Sequence, residues 1–325
     1  MSSSSSWKSI LQHIIKTPTE RQRLSEALGV TTMTLNRWVH GDSQPQRSHL
    51  LRLLQVVQPQ HRVELLAALE ESYPDIQSWL KEDLPAQVPP AFFARVLRMR
   101  STIIESLRFW HISDMVLTQA LLQLDPHQQG MALTVAQCMP PSHGGKIRSL
   151  RERVGRGTYP WTEDLEHLAI FLGMESLAGY VVETRHVASV EDLRKQTQLL
   201  PAYRTEHEVS AAAQPIWLGG GIAGCLLASS TQPGHFTQQR LTLLGVFSDI
   251  LALSFDREDF YPPKLIELRV MPDLDLQRSY ISSFQQRIRQ AVSQAAPSPE
   301  KHLHNFEIEQ KVWQEIEHEL LVLPV

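Results

Sequence analysis

The strongest constraint on this chain is a pair of short amphipathic segments in residues 17–41, separated by a glycine. Leu24 and Leu28 lie four residues apart and share one helical face. Gly29 follows them, where a left-handed backbone would end the helix and turn the chain. Thr19 stands near the start with a glutamine three residues later, which is the spacing of a capping box. The sequence therefore predicts two helices joined by a tight turn.

The second helix presents side chains of the kinds that contact DNA bases. Thr31 is placed to cap it, and Leu35 and Trp38 would form its buried side. Asparagine and arginine bind adenine and guanine edges in a bidentate manner, while threonine and methionine contact the thymine methyl group. The residues expected to contact DNA are Arg21, Gln22, Thr31, Thr32, Met33, Asn36, Arg37 and His40.

These residues resemble the helix-turn-helix of the Cro/C1-repressor (Xre-like) family. The resemblance runs through LSEALGV, the T-x-x-x-L-x-R-W segment and the GDSQP turn, and it extends from Trp7 to Gln58. It implies binding to double-stranded DNA with the second helix in the major groove. A helical hairpin without a DNA role is the alternative.

The charge distribution favours a basic DNA-binding domain attached to an acidic body. The chain of 325 residues has room for two or three domains and a net charge of −4. Residues 1–62 hold eight Lys+Arg against three Asp+Glu, whereas the remainder holds 23 against 32. Because DNA is a polyanion, this asymmetry is suited to a regulator of the kind implied above.

The cysteines and the hydropathy pattern argue against several other classes of protein. Cys138 and Cys225 form no CxxC pair, so a zinc finger is excluded, and each is expected to be a small buried apolar residue. No run of about 20 apolar residues or signal peptide is present. We therefore expect a cytoplasmic protein with no membrane partner.

Apolar periodicity and proline positions predict the remaining elements. Pro89–Pro90 is the clearest break in the chain. Helices are expected at 47–57, 62–71, 76–84, 92–124, 163–172, 176–183, 236–255, 276–292 and 298–321, with extended segments at 131–137, 147–154 and 187–190 and an antiparallel hairpin at 208–230 around Gly219–Gly221.

The second half of the chain resembles the GAF family of small-molecule sensor domains. The resemblance rests on LAGYVVET from Leu177, VEDL from Val190, Ser210–Ile216, GIAGCLLASS from Gly221, and FTQQRLTLL from Phe236. It spans Ala91 to Asp256, although the specific matches lie in residues 174–256. It implies a six-stranded antiparallel sheet, helices on both faces, and a ligand pocket beside the sheet.

The predicted fold class is therefore α+β, in three parts. These are an all-α helix-turn-helix domain (residues 1–84), a GAF-like antiparallel-sheet domain with flanking helices (85–257), and a C-terminal helical extension (258–325).

An aromatic and basic group of residues is the candidate ligand site. The GAF resemblance places the end of the 177–184 helix near the pocket, and a ligand site normally occupies several hundred Å3. The candidates are Trp161, Tyr180, Arg185 and His186. Ordinary packing is the alternative for each of them. The effector is an unknown small molecule, and no metal is expected because the fourteen histidines lack ligand spacing.

The sequence contains no recognisable catalytic motif, so we do not expect an enzyme. Residues 219–224 match G-x-G-x-x-G, but the segment after them is expected to be a strand and not the helix that dinucleotide binding requires.

We interpret the chain as a one-component transcriptional regulator controlled by a small molecule. A dimerisation or protein-interaction scaffold with a ligand-free GAF-like domain and partner-controlled DNA binding is the alternative.

A homodimer is also expected, because such DNA-binding domains usually act in pairs. The apolar seams available for pairing are Phe92–Leu124, Phe236–Phe255 and the Phe306, Trp313 and Leu320 stripe.

Overall fold

A computed structural model of the chain confirms the α+β class. It describes residues 6–76, 79–80, 87–142, 144–165, 170–195, 207–294 and 301–323. Within these ranges, no helix is both long enough and apolar enough to cross a membrane.

In the described residues of the N-terminal part, five helices share a common apolar core. Leu11, Leu24, Leu35, Leu53 and Leu65, one from each helix, are fully buried in it. The helices are α1 (Trp7–Ile14), α2 (Pro18–Leu28), α3 (Thr32–His40), α4 (Arg47–Val56) and α5 (Pro59–Ser72).

The expected start of α2 was wrong by two residues. Thr17, and not Thr19, is the N-cap, since its Oγ1 accepts a hydrogen bond from the Glu20 amide at 3.3 Å. Pro18 therefore becomes the first helical residue, a position where its missing N–H costs nothing. Pro59 begins α5 in the same way, three residues earlier than expected. The expected 76–84 helix lies largely outside the described residues.

A six-stranded antiparallel sheet forms the centre of the second part, as the GAF resemblance implies. The spatial order of its strands is β3-β2-β1-β6-β5-β4. The hairpin turn consists of Gly219 and Gly220, both with positive φ, as a two-residue turn between twisted strands requires. The strands are β1 (Met131–Cys138), β2 (Leu150–Gly157), β3 (Phe171–Leu172), β4 (Ala188–Val190), β5 (Ser210–Leu218) and β6 (Gly221–Ser230).

Helices cover both faces of this sheet. One face packs against α6 (Pro90–Thr102), α7 (Glu105–Leu124) and α9 (Gln238–Leu251), and the other face packs against α8 (Leu177–Thr184). The two cysteines lie in the α8-side core, buried and unpaired, as expected.

The long helix expected over 92–124 is two helices, because the chain is extended at Ile103 and Ile104. The hydroxyls of Ser101 and Thr102 donate to the Arg98 carbonyl, at 2.8 and 2.9 Å, and compete with the helical pattern. The break lets Arg100 and Arg108 converge on one carboxylate, that of Asp256.

Two other expected helices were wrong. Phe171 and Leu172 form an edge strand beside β2 and not a helical end, because Leu150 and Arg151 offer them a pairing partner. The expected 276–292 helix divides into α10 (Leu274–Ile281) and α11 (Phe284–Gln294). Serine hydroxyls donate to preceding carbonyls at this break as well.

The last helix, α12 (Lys301–Val322), packs within its own chain. Trp313, Ile316 and Leu320 are buried against β3, α10 and α11. The Trp313 ring stacks on Phe284 with ring centroids 4.1 Å apart. The stripe expected on this helix is therefore covered in cis at these three residues, and the Phe306 side chain lies outside the described part.

Candidate nucleic-acid interface and ligand cavity

Helix α3 is held firmly at both ends. The Thr31 Oγ1 accepts a hydrogen bond from the Thr34 amide at 3.2 Å, which caps the N-terminus. Gly41 ends the helix in the left-handed conformation, with φ of 82°. Leu35 and Trp38 anchor the helix in the five-helix core, as expected. The opposite face of α3 is thereby presented outward in a fixed orientation.

The outward face carries the side chains expected to contact DNA. Met33 is 71% exposed. The Asn36 and Arg37 side chains have no hydrogen bond or ion pair to the described residues, so their polar atoms are available to a ligand. Thr31, Arg37 and His40 are exposed and Thr32 and Asn36 partly buried.

The two candidates on α2 are already engaged within the domain. The Arg21 Nε donates to the Ile15 carbonyl at 3.1 Å. The Gln22 Nε2 donates to the Glu26 Oε1 at 2.7 Å. Either side chain would have to share or exchange these contacts in order to reach DNA. Contact with DNA at all eight positions stays a prediction.

A small cavity lies between the sheet and the N-terminal end of α8; we call it the sheet cavity. Its volume is about 60 Å3, well below the several hundred Å3 expected of a small-molecule site. Its walls are mainly apolar, with five polar side chains. The polar lining residues are Thr134, Glu152, Ser176, Glu208 and Ser229, and the apolar ones include Trp161, Leu165, Leu177 and Leu193.

Two carboxylates give the sheet cavity its electrostatic character. The Glu208 Oε1 accepts a hydrogen bond from the Ser229 hydroxyl at 2.5 Å. Glu152 has no side-chain hydrogen bond to the described residues. Burial, together with the nearby Glu208 charge, raises the pKa of Glu152 to about 8. The cavity therefore disfavours a second negative charge and would attract a positive one.

Only one of the four expected ligand residues lines this cavity. Trp161 is a buried wall, 9% exposed. Tyr180, Arg185 and His186 lie outside the lining, on the exposed side and end of α8. The helix turns Leu177, Ala178 and Val181 inward, which directs Tyr180 to solvent. Arg185 adopts φ of 64° as the C-cap, and the His186 Nδ1 lies 2.7 Å from the Thr184 carbonyl. A ligand role for these three stays a prediction that the cavity geometry does not support.

Comparison with known proteins identifies only the fold. No family model matches the sequence, and no curated protein matches it. The GAF domain of the Acinetobacter phosphoenolpyruvate-protein phosphotransferase is 15% identical, over 50% of this chain and 90% of that chain, with a TM-score of 0.36. A type II free methionine-R-sulfoxide reductase from Thermoplasma acidophilum is 20% identical, over 48% and 99%, with a TM-score of 0.35. A putative GAF sensor protein from Burkholderia vietnamiensis is 11% identical, over 50% and 92%, with a TM-score of 0.33.

The six-stranded sheet with helices on both faces has the arrangement that the GAF resemblance implies. Similarity at this level concerns the fold alone, so the chemistry must come from the residues of this chain.

A buried arginine joins the helical domain to the GAF-like domain. Arg62, on α5, is 4% exposed. Its Nη1 donates to the Gln128 carbonyl and to the Gln128 Oε1, at 3.2 and 2.6 Å. Its Nη2 donates to the carbonyls of Gln55 and Val57, at 3.1 and 3.0 Å. One side chain thus ties the end of α4 to the turn that precedes β1.

The 125–130 turn is also connected to the sheet cavity. The buried Asp125 carboxylate accepts hydrogen bonds from the Gln129 and Gly130 amides and from the Thr158 hydroxyl, at 2.7, 3.2 and 2.8 Å. Thr158 stands three residues before Trp161, a wall of the cavity. A continuous set of contacts therefore runs from the cavity wall to the helical domain. Burial raises the pKa of Asp125 to about 6, so the carboxylate is mostly ionised at neutral pH.

Proposed function

We propose that this chain is a one-component transcriptional regulator. In this proposal α3 enters the major groove of operator DNA, and a small molecule in the sheet cavity changes the affinity of that contact. The observation that carries the proposal is the outward face of α3. There Asn36 and Arg37 have no partner in the described structure, while Leu35 and Trp38 fix the helix from behind. A base-reading helix needs this combination.

The test of the proposal is a selection of binding sites from a random duplex library with the full chain. Fluorescence anisotropy then measures affinity for the enriched duplex and for a scrambled duplex. We expect the enriched duplex to bind at least 1000-fold more tightly, the lower end for specific DNA-binding proteins. No enrichment after repeated rounds would contradict the proposal.

The chemistry of the sheet cavity points to a small organic cation as the effector. Glu208 supplies negative charge, Glu152 can release its proton when a cation binds beside it, and Trp161 supplies an aromatic face that attracts cations. A volume of about 60 Å3 restricts the occupant to a few non-hydrogen atoms unless the walls move. Methylammonium, tetramethylammonium and guanidinium are suitable probes. We expect at least one to raise the midpoint of thermal unfolding, and a Glu152→Gln variant to lose that response.

In order to regulate, the cation must have different affinities for the DNA-competent and the DNA-incompetent state of the protein. The route from the sheet cavity to the helical domain in this proposal is the set of contacts through Thr158, Asp125, Gln128 and Arg62. Binding at Trp161 would shift the residue 158–161 segment, and with it the turn that Arg62 holds.

Changing Gln128 tests this route with little risk to folding. Gln128 has φ of 48°, which glycine adopts without strain, so Gln128→Gly removes the side-chain acceptor of Arg62 and keeps the backbone carbonyl that also accepts from it. We expect DNA affinity without an effector to be unchanged, and the effect of the cation on DNA affinity to fall several-fold. Gln128→Glu keeps an acceptor for Arg62 and should retain the effect. An undiminished effect in Gln128→Gly would exclude this contact from the route.

The scaffold alternative is favoured by one observation, the small size of the sheet cavity. In that case the GAF-like domain would bind no small molecule and a partner protein would control DNA binding. A thermal shift that depends on Glu152, with any of the three cations, favours the sensor. Its absence with all three favours the scaffold.

We further propose a homodimer, with two α3 helices contacting inverted repeats spaced by about one helical turn, 10–10.5 bp, or a multiple. Apolar side chains on α6 and at the start of α7 support this, since Phe93, Leu97, Ile104 and Leu107 are 38–63% exposed. Light scattering on the full chain should give twice the monomer mass of 37.0 kDa. We expect Leu97→Glu to be monomeric and Leu218→Glu, on the exposed hairpin, to stay dimeric. A monomeric native chain would contradict the proposal.

A further inference from the structure

A second cavity lies at the other end of the sheet, where β1 and β2 meet α12; we call it the arginine cavity. Its volume is about 270 Å3, more than four times that of the sheet cavity. The residues that define its chemistry are Gln137, Arg151, Arg153, Asp259, Tyr261 and Trp313.

Two guanidinium groups that line this cavity lie against aromatic rings. The Arg151 guanidinium carbon is 4.3 Å from the centre of the Trp313 ring. That of Arg153 is 4.0 Å from the centre of the Phe109 ring. Stacking of this kind covers the flat faces of a guanidinium and leaves the N–H groups at its edge for hydrogen bonds.

Several N–H donors of the cavity, from both arginines and from Trp313, have no acceptor within the described residues. The Nε atoms of Arg151 and Arg153 and the Nε1 of Trp313 are buried and unpaired, and Trp313 is only 5% exposed. Arg153 has one acceptor, the Gln137 Oε1 at 2.5 Å. Arg151 has no hydrogen bond or ion pair in the described part of the chain. Because buried donors without acceptors cost free energy, the site is prepared for an acceptor from outside.

The pKa values of the two arginines also indicate that the site lacks an anion. Burial and the neighbouring Arg153 lower the pKa of Arg151 to about 9, and burial lowers that of Arg153 to about 10. Both shifts mean that the interior lacks enough negative charge to stabilise two cations. An anion placed beside the guanidiniums would supply it.

Carboxylates around the cavity limit the charge that such an anion can carry. Glu258 and Glu309 are exposed lining residues. Asp259 is already bound, since its Oδ1 accepts from the Gln137 Nε2 at 2.9 Å and its Oδ2 from the Asp256 amide at 3.0 Å. Three carboxylates would repel a phosphate dianion more strongly than a singly charged group. The surroundings therefore favour a monoanion.

We propose that the arginine cavity binds a small organic monocarboxylate, held by the guanidiniums of Arg151 and Arg153 and by the indole N–H of Trp313. The carboxylate accepts the N–H groups that have no other partner, and the apolar part of the ligand lies against Met139 and Pro140. This site is separate from the sheet cavity and does not depend on the proposed regulatory function.

Isothermal titration calorimetry of the full chain tests the class of ligand. The probes are butyrate and benzoate, their uncharged amides butyramide and benzamide, and inorganic phosphate. We expect saturable binding of at least one carboxylate, with its amide at least about tenfold weaker, the loss typical of a charged hydrogen bond. No binding of either carboxylate, equal binding of the matching amide, or tighter binding of phosphate would each overturn the proposal.

Variants locate the site. Arg151→Gln should weaken carboxylate binding at least about tenfold, and Trp313→Phe, which keeps the stacking ring but lacks the N–H, should weaken it several-fold. Arg156→Gln is the matched control, because Arg156 lies on the same strand but pairs with Asp114 outside the cavity. If Arg151→Gln does not fold, Trp313→Phe decides. Native affinity in Trp313→Phe, or an equal loss in Arg156→Gln, would overturn the assignment.

Discussion

An Asn36→Ala variant is expected to bind the selected duplex about 1–3 kcal/mol more weakly than the native chain, while its affinity for scrambled DNA stays nearly unchanged. Asn36 lies on the outward face of α3 and has no side-chain partner among the described residues. Its loss should therefore leave the fold intact and remove only a bidentate contact to a base.

Fluorescence anisotropy on the two duplexes measures this difference directly. Gln60→Ala is the matched control, since it removes an exposed amide on α5 whose hydrogen-bond partners among the described residues are the nearby Gln58 and His61. An equal loss on both duplexes would make Asn36 a phosphate contact, and the orientation assigned to α3 would be wrong.

A Glu152→Gln variant is expected to be more stable than the native chain at alkaline pH, by up to about 5 kcal/mol. The pKa of Glu152 is about 8 in the folded chain, against 4.5 as the ordinary value. Between these values the folded state holds a proton that the unfolded state has released, so the free energy of unfolding falls as pH rises. The difference of 3.5 pKa units corresponds to about 5 kcal/mol at 1.36 kcal/mol per unit.

Urea unfolding between pH 4 and pH 9 measures this effect. The native chain and the variant should have similar stability at pH 4, and their curves should separate through pH 8. Burial also raises the pKa of Asp125 and of Glu317, but those contributions are common to both proteins and cancel in the comparison. Glu183→Gln, on the exposed side of α8, is the control. Parallel curves for Glu152→Gln and the native chain would show that Glu152 lies in a solvated environment.

The elements that sequence reasoning located well are those determined by local chemistry. Gly29 ends α2 in the left-handed conformation, with φ of 68°, and Leu35 and Trp38 fix the buried side of α3 by their spacing alone. The hairpin followed from its glycines, because a two-residue turn between strands needs positive φ.

The breaks within the expected long helices could not be read from apolar spacing. Apolar residues continue at helical intervals through Ile103 and through Ser282, so periodicity predicts one helix in each case. Side-chain hydroxyls bonding to carbonyls and the tertiary pairing of Arg100 and Arg108 with Asp256 decide otherwise. For Phe171 the decisive contact is with β2, some 20 residues earlier in the chain.

The cavity residues divide in a similar way. Trp161 was identified from its aromatic character near the expected pocket, whereas Glu152 and Glu208 were missed. A signal for Glu152 was present, because it stands two residues after Leu150 in the expected strand, and residues two apart in a strand lie on the same face of the sheet. The partner of Glu152 lies more than 50 residues away, and no local pattern connects the two.

The contact between Arg62 and Gln128 also lay beyond sequence reasoning. Nothing in the sequence near either residue indicates that the two domains meet there. From the sequence, Arg62 contributes to the basic N-terminal charge and begins the expected 62–71 helix, and its burial against the 125–130 turn gives it a structural role as well.

The most direct test of the central claim is the affinity of the full chain for its selected duplex with and without tetramethylammonium, at ionic strength matched with sodium chloride. The tetramethylammonium concentration is one that saturates the Glu152-dependent thermal shift, so that the sheet cavity is filled. We expect the dissociation constant for DNA to change by about 5-fold or more, the usual size of coupling between two sites, and to remain unchanged in Glu152→Gln. An identical dissociation constant with the cavity empty and filled would contradict control of DNA binding by this site.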